Sequence, residues 1–223
     1  QPTQEDMDKL CVVDTEDSMS DIIEQLDRLG LKFGAYIRMY ERLSVENKDL
    51  LKSISNGQLP WVSQKQKGAL TDYYEFFLNQ MEVTLKDNKF KYLGIDTIEG
   101  IEAGLAAWAE VNRAKSGWSG QRDHGKLEVE SVRPLYDSLL ESFAQRGVEH
   151  IILTSHLRNV WHNNSPVPSK VEPGGRLALL SKLASVMLWL TPDGRNADGA
   201  PAAIVLKGRQ SIVEIENGEW RIR

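Results

Sequence analysis

The chain has 223 residues, 41% of them hydrophobic and 26% charged, with a formal net charge of -5. This is the composition of an ordinary globular protein, long enough for one large or two small domains and a substantial core. The charge excludes bulk attraction to nucleic acid, so any such binding needs a local basic loop; the single cysteine excludes an intrachain disulfide and fits a reducing, cytoplasmic setting; and no apolar run approaches the ~18 residues of a membrane span.

Residues 1–9 are polar and acidic, which argues against a signal peptide. With no initiator Met, the chain is expected to start inside a longer protein or to have been processed. Leu10 to Glu16 (LCVVDTE) is a short apolar run that ends in polar chemistry, and Cys11 within it reads as a buried, inert thiol. Asp17 and Ser18 then precede Ile22, Ile23, Leu26 and Leu29 at helical spacing, with Gly30 as the stop. Residues 35–40 read as a short strand. Residues 44–68 read as irregular, with Asn56–Gly57 and Pro60 as turn signals. The spacing of Leu70, Tyr73, Tyr74, Phe77, Met81 and Leu85 predicts a long amphipathic helix over 69–86, its aromatics forming a core stripe.

Tyr92 to Thr97 (YLGIDT) is a second apolar run, followed by a helix from about 99 to 112. The stretch from Lys115 to Lys126, with Arg122, Asp123 and His124, reads as a mobile surface loop. Val132, Leu135, Leu139, Leu140 and Phe143 predict an amphipathic helix over 128–146. His150 to His156 (HIILTSH) is the third apolar run. Residues 157–175, with Arg158, His162, several prolines, Lys170 and Gly174–Gly175, read as a long loop. A helix over 176–184 and a strand over 186–190 follow. Residues 202–206, 211–215 and 219–222 form a meander with turns at Gly208 and Asn217–Gly218.

Strands alternating with helices indicate an α/β fold. We expect one domain over 1–223: a mostly parallel sheet with helices on both faces and a C-terminal antiparallel extension. Short apolar runs that end in polar residues are the pattern of a buried parallel sheet, whose ligands sit beyond the carboxyl ends of the strands. Asp14, Glu16, Asp96 and His156 should therefore gather along one edge, an arrangement that suits a nucleotide and its metal ion.

The order of the pieces resembles the RecA-like recombinase ATPase core, in a phage-type form. CVVDTE (11–16) is similar to the strand that ends in the catalytic glutamate, and YLGIDT (92–97) to a Walker B strand. IILTSHLR (151–158) is similar to the strand of the phosphate sensor, which leads into a DNA-binding loop. GGRLALLSKLASVMLWL (174–190) is similar to the end of that loop, its helix and the next strand. AIVLKGR (203–209) resembles a late strand whose basic residues reach a neighbour's nucleotide. The family's phosphate loop, Gly-x-x-x-x-Gly-Lys-Ser/Thr, does not occur in the chain, and the sensor position holds His156 where bacterial recombinases usually have Gln.

The resemblance implies ATP and Mg²⁺ as cofactors, single-stranded DNA as a partner and a homo-oligomeric ring or filament, with no membrane association. Glu16 would activate the attacking water, with N-capping of the 20–29 helix as its plainer alternative. Asp96, beside Thr97, would hold Mg²⁺, or be a solvated strand-end acid. Asp14 would support the site or accept bonds at the sheet edge. His156 would sense the γ-phosphate. Ser155 and His156, adjacent on a strand, would point to opposite faces and so make no nucleophile–base pair. Arg158, Trp161, Lys170 and Arg176 would touch DNA, and Lys207 and Arg209 would act in trans, with solvated surface charge as the alternative for each. Two other functions stay open: a non-hydrolysing RecA-like binding or assembly module, and a Mg²⁺-dependent nuclease built on Asp14, Glu16 and Asp96.

Overall fold

A computed structural model describes residues 2–44, 46–50, 63–115, 138–162, 165–173, 187–195, 201–208, 211–216 and 219–222. The chain divides into two compact units, Gln1–Arg176 and Leu177–Arg223.

The first unit begins with α1 (Gln4–Asp8), β1 (Leu10–Asp14), α2 (Ser20–Arg28), β2 (Ala35–Arg38) and a 3₁₀ turn (Met39–Arg42). Then come α3 (46–50), α4 (Gln64–Thr84), β3 (Tyr92–Asp96), α5 (Ile98–Lys115), α6 (138–145) and β4 (His150–Leu153). Four strands make one sheet in the order β2-β1-β3-β4, every pair parallel. The fold is therefore α/β, with a four-stranded all-parallel sheet flanked by helices. The register sets Asp14 beside Arg38 on one side and Asp96 on the other, and Ile95 beside Leu153. Strands β1, β3 and β4 thus end almost level, at one edge.

The apolar runs make these strands because they can be buried. Cys11, Val12 and Val13 of β1 and Leu93 and Ile95 of β3 are buried, which supplies the main driving force for the sheet. The stripe predicted on α4 is also core: Leu70, Tyr73, Tyr74, Phe77 and Met81 are buried, with Ile98, Ile101 and Leu105 of α5. Phe77 meets Phe143 of α6 edge-on at 6.3 Å, and Tyr74 lies 6.1 Å from Trp108 of α5.

Two parts of the sequence reading are corrected. Helix α4 begins at Gln64, not 69, because Ser63 and Gln66 form a reciprocal capping box: the Gln66 N–H donates to Ser63 Oγ at 3.3 Å, and the Ser63 N–H to Gln66 Oε1 at 2.9 Å. Thr3 and Asp6 form another such box, which starts α1 within the acidic opening segment. The loop expected over 157–175 contains an antiparallel ribbon, β5 (Leu157–His162) with β6 (Ser165–Pro173), bulged between Asn159 and Trp161. A two-stranded ribbon is all edge, which is where strand prolines such as Pro166 and Pro168 are tolerated. The loop residues 116–126, most of the helix expected over 128–146 and the helix over 176–184 lie outside the described residues.

The second unit holds β7 (Met187–Arg195), β8 (Pro201–Gly208), β9 (Ser211–Glu216) and β10 (Glu219–Ile222), paired antiparallel in the order β10-β9-β8-β7. Among the described residues, no helix is long and apolar enough to cross a membrane.

Two helix glycines test the packing of α4 on α5 with opposite signs. A Cβ at Gly104 would lie 2.9 Å from Tyr74 Cβ and 3.0 Å from the Leu70 carbonyl oxygen, whereas one at Gly68 meets nothing within 4 Å. Overpacking costs about 1–3 kcal/mol and replacing a helix glycine with alanine gains up to about 1 kcal/mol. Urea unfolding should show Gly104→Ala less stable than the parent by about 1–2 kcal/mol and Gly68→Ala more stable by about 0.5–1 kcal/mol. A stabilised Gly104→Ala would contradict the close approach of the two helices.

Candidate functional site

The site is built on the turn that follows β1. Asp14 is 0% exposed. Its Oδ1 accepts the N–H groups of Glu16, Asp17 and Ser18 at 3.0, 2.9 and 3.3 Å. Its Oδ2 accepts the Met19 N–H at 3.3 Å and the Tyr36 hydroxyl at 2.7 Å. The chain curls round this carboxylate, with Asp17 in the left-handed region at φ 62°, a conformation Asp tolerates better than most residues. Met19, the N-cap residue of α2, makes no side-chain capping bond. Asp14 is thus the acceptor that shapes the turn.

Glu16 instead faces the ends of the neighbouring strands. Thr97 Oγ1 donates to its Oε1 at 2.9 Å, and its Oε2 lies 2.6 Å from Nε2 of His156. Thr97 is fixed by a two-way tie with Thr15: the Thr97 N–H donates to Thr15 Oγ1 at 2.8 Å, and that hydroxyl donates to the Thr97 carbonyl at 2.9 Å. The Thr15 N–H adds a bond to the Asp96 carbonyl at 2.7 Å. Both threonines are buried, so the tie is shielded from water and strengthened by it.

Asp96 accepts hydroxyl bonds from Ser18 on one oxygen and from Thr154 on the other. Glu99, in the first turn of α5, accepts from Ser155 Oγ at 2.6 Å and from the His156 N–H at 2.9 Å. Tyr73 of α4 sits beneath: a Cβ at Gly100 would lie 3.3 Å from its hydroxyl and 3.4 Å from Thr15 Cβ, so glycine is what lets α4 approach here. Burial, then the charges of Glu16 and Asp14, raise the Tyr73 phenol well above its ordinary range, and it stays neutral.

His156 carries the electrostatics of the site. Partial burial of the ring works against its charge, but the Glu16 hydrogen bond and the carboxylates of Glu16, Glu99 and Asp96 outweigh it, so the imidazole titrates above its ordinary value. The arrangement can orient a polarised water or an anion at the sheet's carboxyl edge. Serine and histidine form no dyad, because Ser155 bonds Glu99 and His156 bonds Glu16. Both residues lie past the end of β4. Burial pushes the Cys11 thiol up to about 12, consistent with an inert group.

The structure therefore brings Glu16, Asp96, Thr97 and His156 together. Arg158 and Trp161 lie on β5 and Lys170 on β6, while Lys207 lies on β8 of the second unit. Arg176 and Arg209 lie outside the described residues, as does His124. Sequence reasoning missed Glu99 and Tyr36. The available signal for Glu99 was an acid in the first turn of α5, three positions after Asp96. Among the described residues, no group of three or more His, Cys, Asp or Glu is placed to hold a metal ion. Asp96 fits only the looser mode in which one carboxylate holds a hydrated Mg²⁺ together with substrate phosphates. The chain matches no protein-family model, and a search of curated proteins returns no match.

The raised His156 value fixes the sign of a pH effect. The folded state binds the proton more tightly than the unfolded chain, so the pair's contribution is complete below the unfolded value of 6.5 and fades as pH rises through the higher folded value. Glu16→Gln should lower the His156 midpoint in an NMR titration. The stability difference between parent and Glu16→Gln should shrink as pH rises past that midpoint. A His156 midpoint insensitive to Glu16→Gln would show that the pair is not formed in solution.

Proposed function

We propose that the chain is a RecA-like ATP-binding and hydrolysing core, of the phage type, that acts in DNA recombination or repair in the cytoplasm. One observation carries the reading: a carboxylate, Glu16, is held off its own turn by Asp14 and set between Thr97 and His156 at the carboxyl edge of a parallel sheet. That edge is where open α/β sheets bind their ligands.

In this reading Glu16 polarises the attacking water, which requires one of its oxygens to be released. His156 supplies the release. An imidazole that turns from Glu16 to a γ-phosphate frees Oε2 for the water and senses the nucleotide in one movement. Thr97 keeps the other oxygen fixed. Bound Mg²⁺ would neutralise phosphate charge, and Asp96 would hold it through water, with Ser18 and Thr154 orienting the carboxylate. The 223 residues contain no Gly-x-x-x-x-Gly-Lys-Ser/Thr. The reading therefore needs a phosphate cradle from other residues of the working assembly, a homo-oligomer in which Lys207 and Arg209 reach a neighbour's nucleotide.

DNA contact falls to the β5–β6 ribbon, which begins at Leu157, directly after His156. Arg158, Trp161 and Lys170 lie on it, and with Arg176 they would take single-stranded DNA by phosphate contact and stacking. The missing cradle favours one second reading, a RecA-like assembly module that does not hydrolyse ATP. The nuclease reading is disfavoured, because Asp14 commits both oxygens to the turn and to Tyr36.

In the full-length protein, Glu16→Gln should slow Mg-ATP hydrolysis by about 10²-fold while leaving nucleotide affinity nearly intact, because water activation is a transition-state role. Unchanged turnover would remove Glu16 from the chemistry, and a parent protein that hydrolyses no Mg-ATP would remove the ATPase reading.

The ribbon is tested separately. Arg158→Ala with Lys170→Ala should weaken single-stranded DNA binding and flatten its salt dependence, since fewer counterions are released. Affinity and salt slope equal to the parent's in a filter-binding series would exclude the ribbon as the DNA surface.

A further inference from the structure

Glu99 is 1% exposed. Burying a carboxylate costs several kcal/mol unless its hydrogen bonds compensate, so what it bonds indicates what it is for. An acid in the first turn of a helix commonly caps that helix's own N–H groups or meets its dipole. The bonds Glu99 makes point elsewhere. Its Oε1 accepts the Ser155 hydroxyl at 2.6 Å and the His156 N–H at 2.9 Å, both from residues after β4. Among the described residues its Oε2 has no hydrogen-bond partner.

Those residues need an anchor. Strand β4 ends at Leu153. Thr154 is still tied to the sheet side, its N–H to the Ile95 carbonyl and its carbonyl to the Ile98 N–H, both at 3.1 Å. Among the described residues these ladder bonds end at Thr154, and the His156 side chain is 48% exposed, so packing alone does not fix the ring. The Glu99 oxygen fastens the His156 backbone to the start of α5, and α5 follows directly from Asp96 and Thr97.

We propose that Glu99 is a positioning residue: it clamps the His156 backbone so that the ring meets Glu16, and it thereby sets the geometry of the Glu16 carboxylate. The proposal rests on the reading of Glu16 as the water-activating group for its catalytic consequence, but not for its geometry. Two carboxylates then flank one imidazole. Glu99 holds the backbone side and Glu16 the ring. Glu99 also adds charge: burial lowers the His156 ring, and Glu99 is one of the carboxylates that, after the Glu16 bond, raise it.

The test is a cycle of variants read by the ring ¹⁵N resonances of His156 at fixed pH, assigned with His156→Gln. In the parent chain, Glu16→Gln should shift the Nε2 resonance, because it alters the acceptor of that bond. Glu99→Met removes both tethers with an apolar side chain of similar length, suited to a buried site, and in that background the shift should be lost. Glu99→Gln keeps an acceptor oxygen, so the shift should return. An undiminished shift in Glu99→Met, in a chain whose backbone amide spectrum shows the parent fold, would overturn the proposal. If Glu99→Met does not fold, Ser155→Ala, which removes one of the two donors, should reduce the shift, and an unchanged shift there would likewise overturn it. In the full-length protein Glu99→Met should lower kcat for ATP by up to about 10²-fold, the cost of misplacing a reacting group by about 1 Å, with little change in KM. A parent protein that hydrolyses no ATP would sink the ATPase reading alone, since the resonance cycle decides the role of Glu99 without turnover.

Discussion

A carboxylate with no exposure to water must find its hydrogen bonds inside the protein, and Asp14 finds them in the turn it belongs to. Four consecutive N–H groups, from Glu16 to Met19, and the Tyr36 hydroxyl converge on its two oxygens. Backbone donors near a buried strand end have few alternatives, and each one left without a partner costs about 1–3 kcal/mol. The turn therefore has one strongly favoured path, and that path sends Glu16 away from α2 and towards β3 and β4. Without the Asp14 knot, Glu16 would be an ordinary acid before a helix, with the cap at Met19 open to it.

The second constraint is the level ending of the strands. Parallel pairing puts Asp14 opposite Asp96, and the Thr15–Thr97 tie continues the contact for one residue past the sheet. Glu16 and Thr97 then meet because each lies one step beyond a fixed neighbour. His156 completes the group from β4. The Glu16–His156 pair is part-exposed, and pairs of that kind contribute little to stability. Its consequence is positional: the ring charge and the carboxylate hold each other in place at an edge otherwise lined by hydroxyls and acids.

The sheet was readable from the sequence because burial leaves a mark there. LCVVD and YLGID are apolar over the length of a strand and polar just beyond, and they are β1 and β3, whose inner residues are buried; HIIL has the same pattern and is β4, although none of its residues is buried. That pattern sets Glu16, Asp96 and His156 at the ends of neighbouring strands. What could not be read is what tertiary contact decides. Asp14 and Glu16 look alike as strand-end acids, and only the turn's path shows that one is structural and the other faces the site. Glu99 looks like a solvated helix acid until β4 is placed beside it. The β5–β6 segment is rich in prolines and polar residues, so its sequence resembles a loop. The start of α4 is a different case, for Ser63 and Gln66 carry the capping signature, and Gly68 obscured it.

Under the ATPase reading, the placement of the ribbon decides where a movement of His156 can go. A ring that exchanges Glu16 for an incoming anion must shift, and its backbone shifts with it or strains. On the amino-terminal side the chain is pinned, Thr154 to Ile95 and Ile98 and Ser155 to Glu99. On the carboxyl side Leu157 opens the ribbon directly, with no intervening linker. A displacement would therefore pass into the ribbon more easily than into the sheet, and Glu99 would set the gain of this coupling. The tighter it holds the His156 N–H, the more the response is confined to the ring; the looser it holds, the more the ribbon moves. The same buried carboxylate would then govern both how well Glu16 is placed for water and how strongly nucleotide state is transmitted to the ribbon.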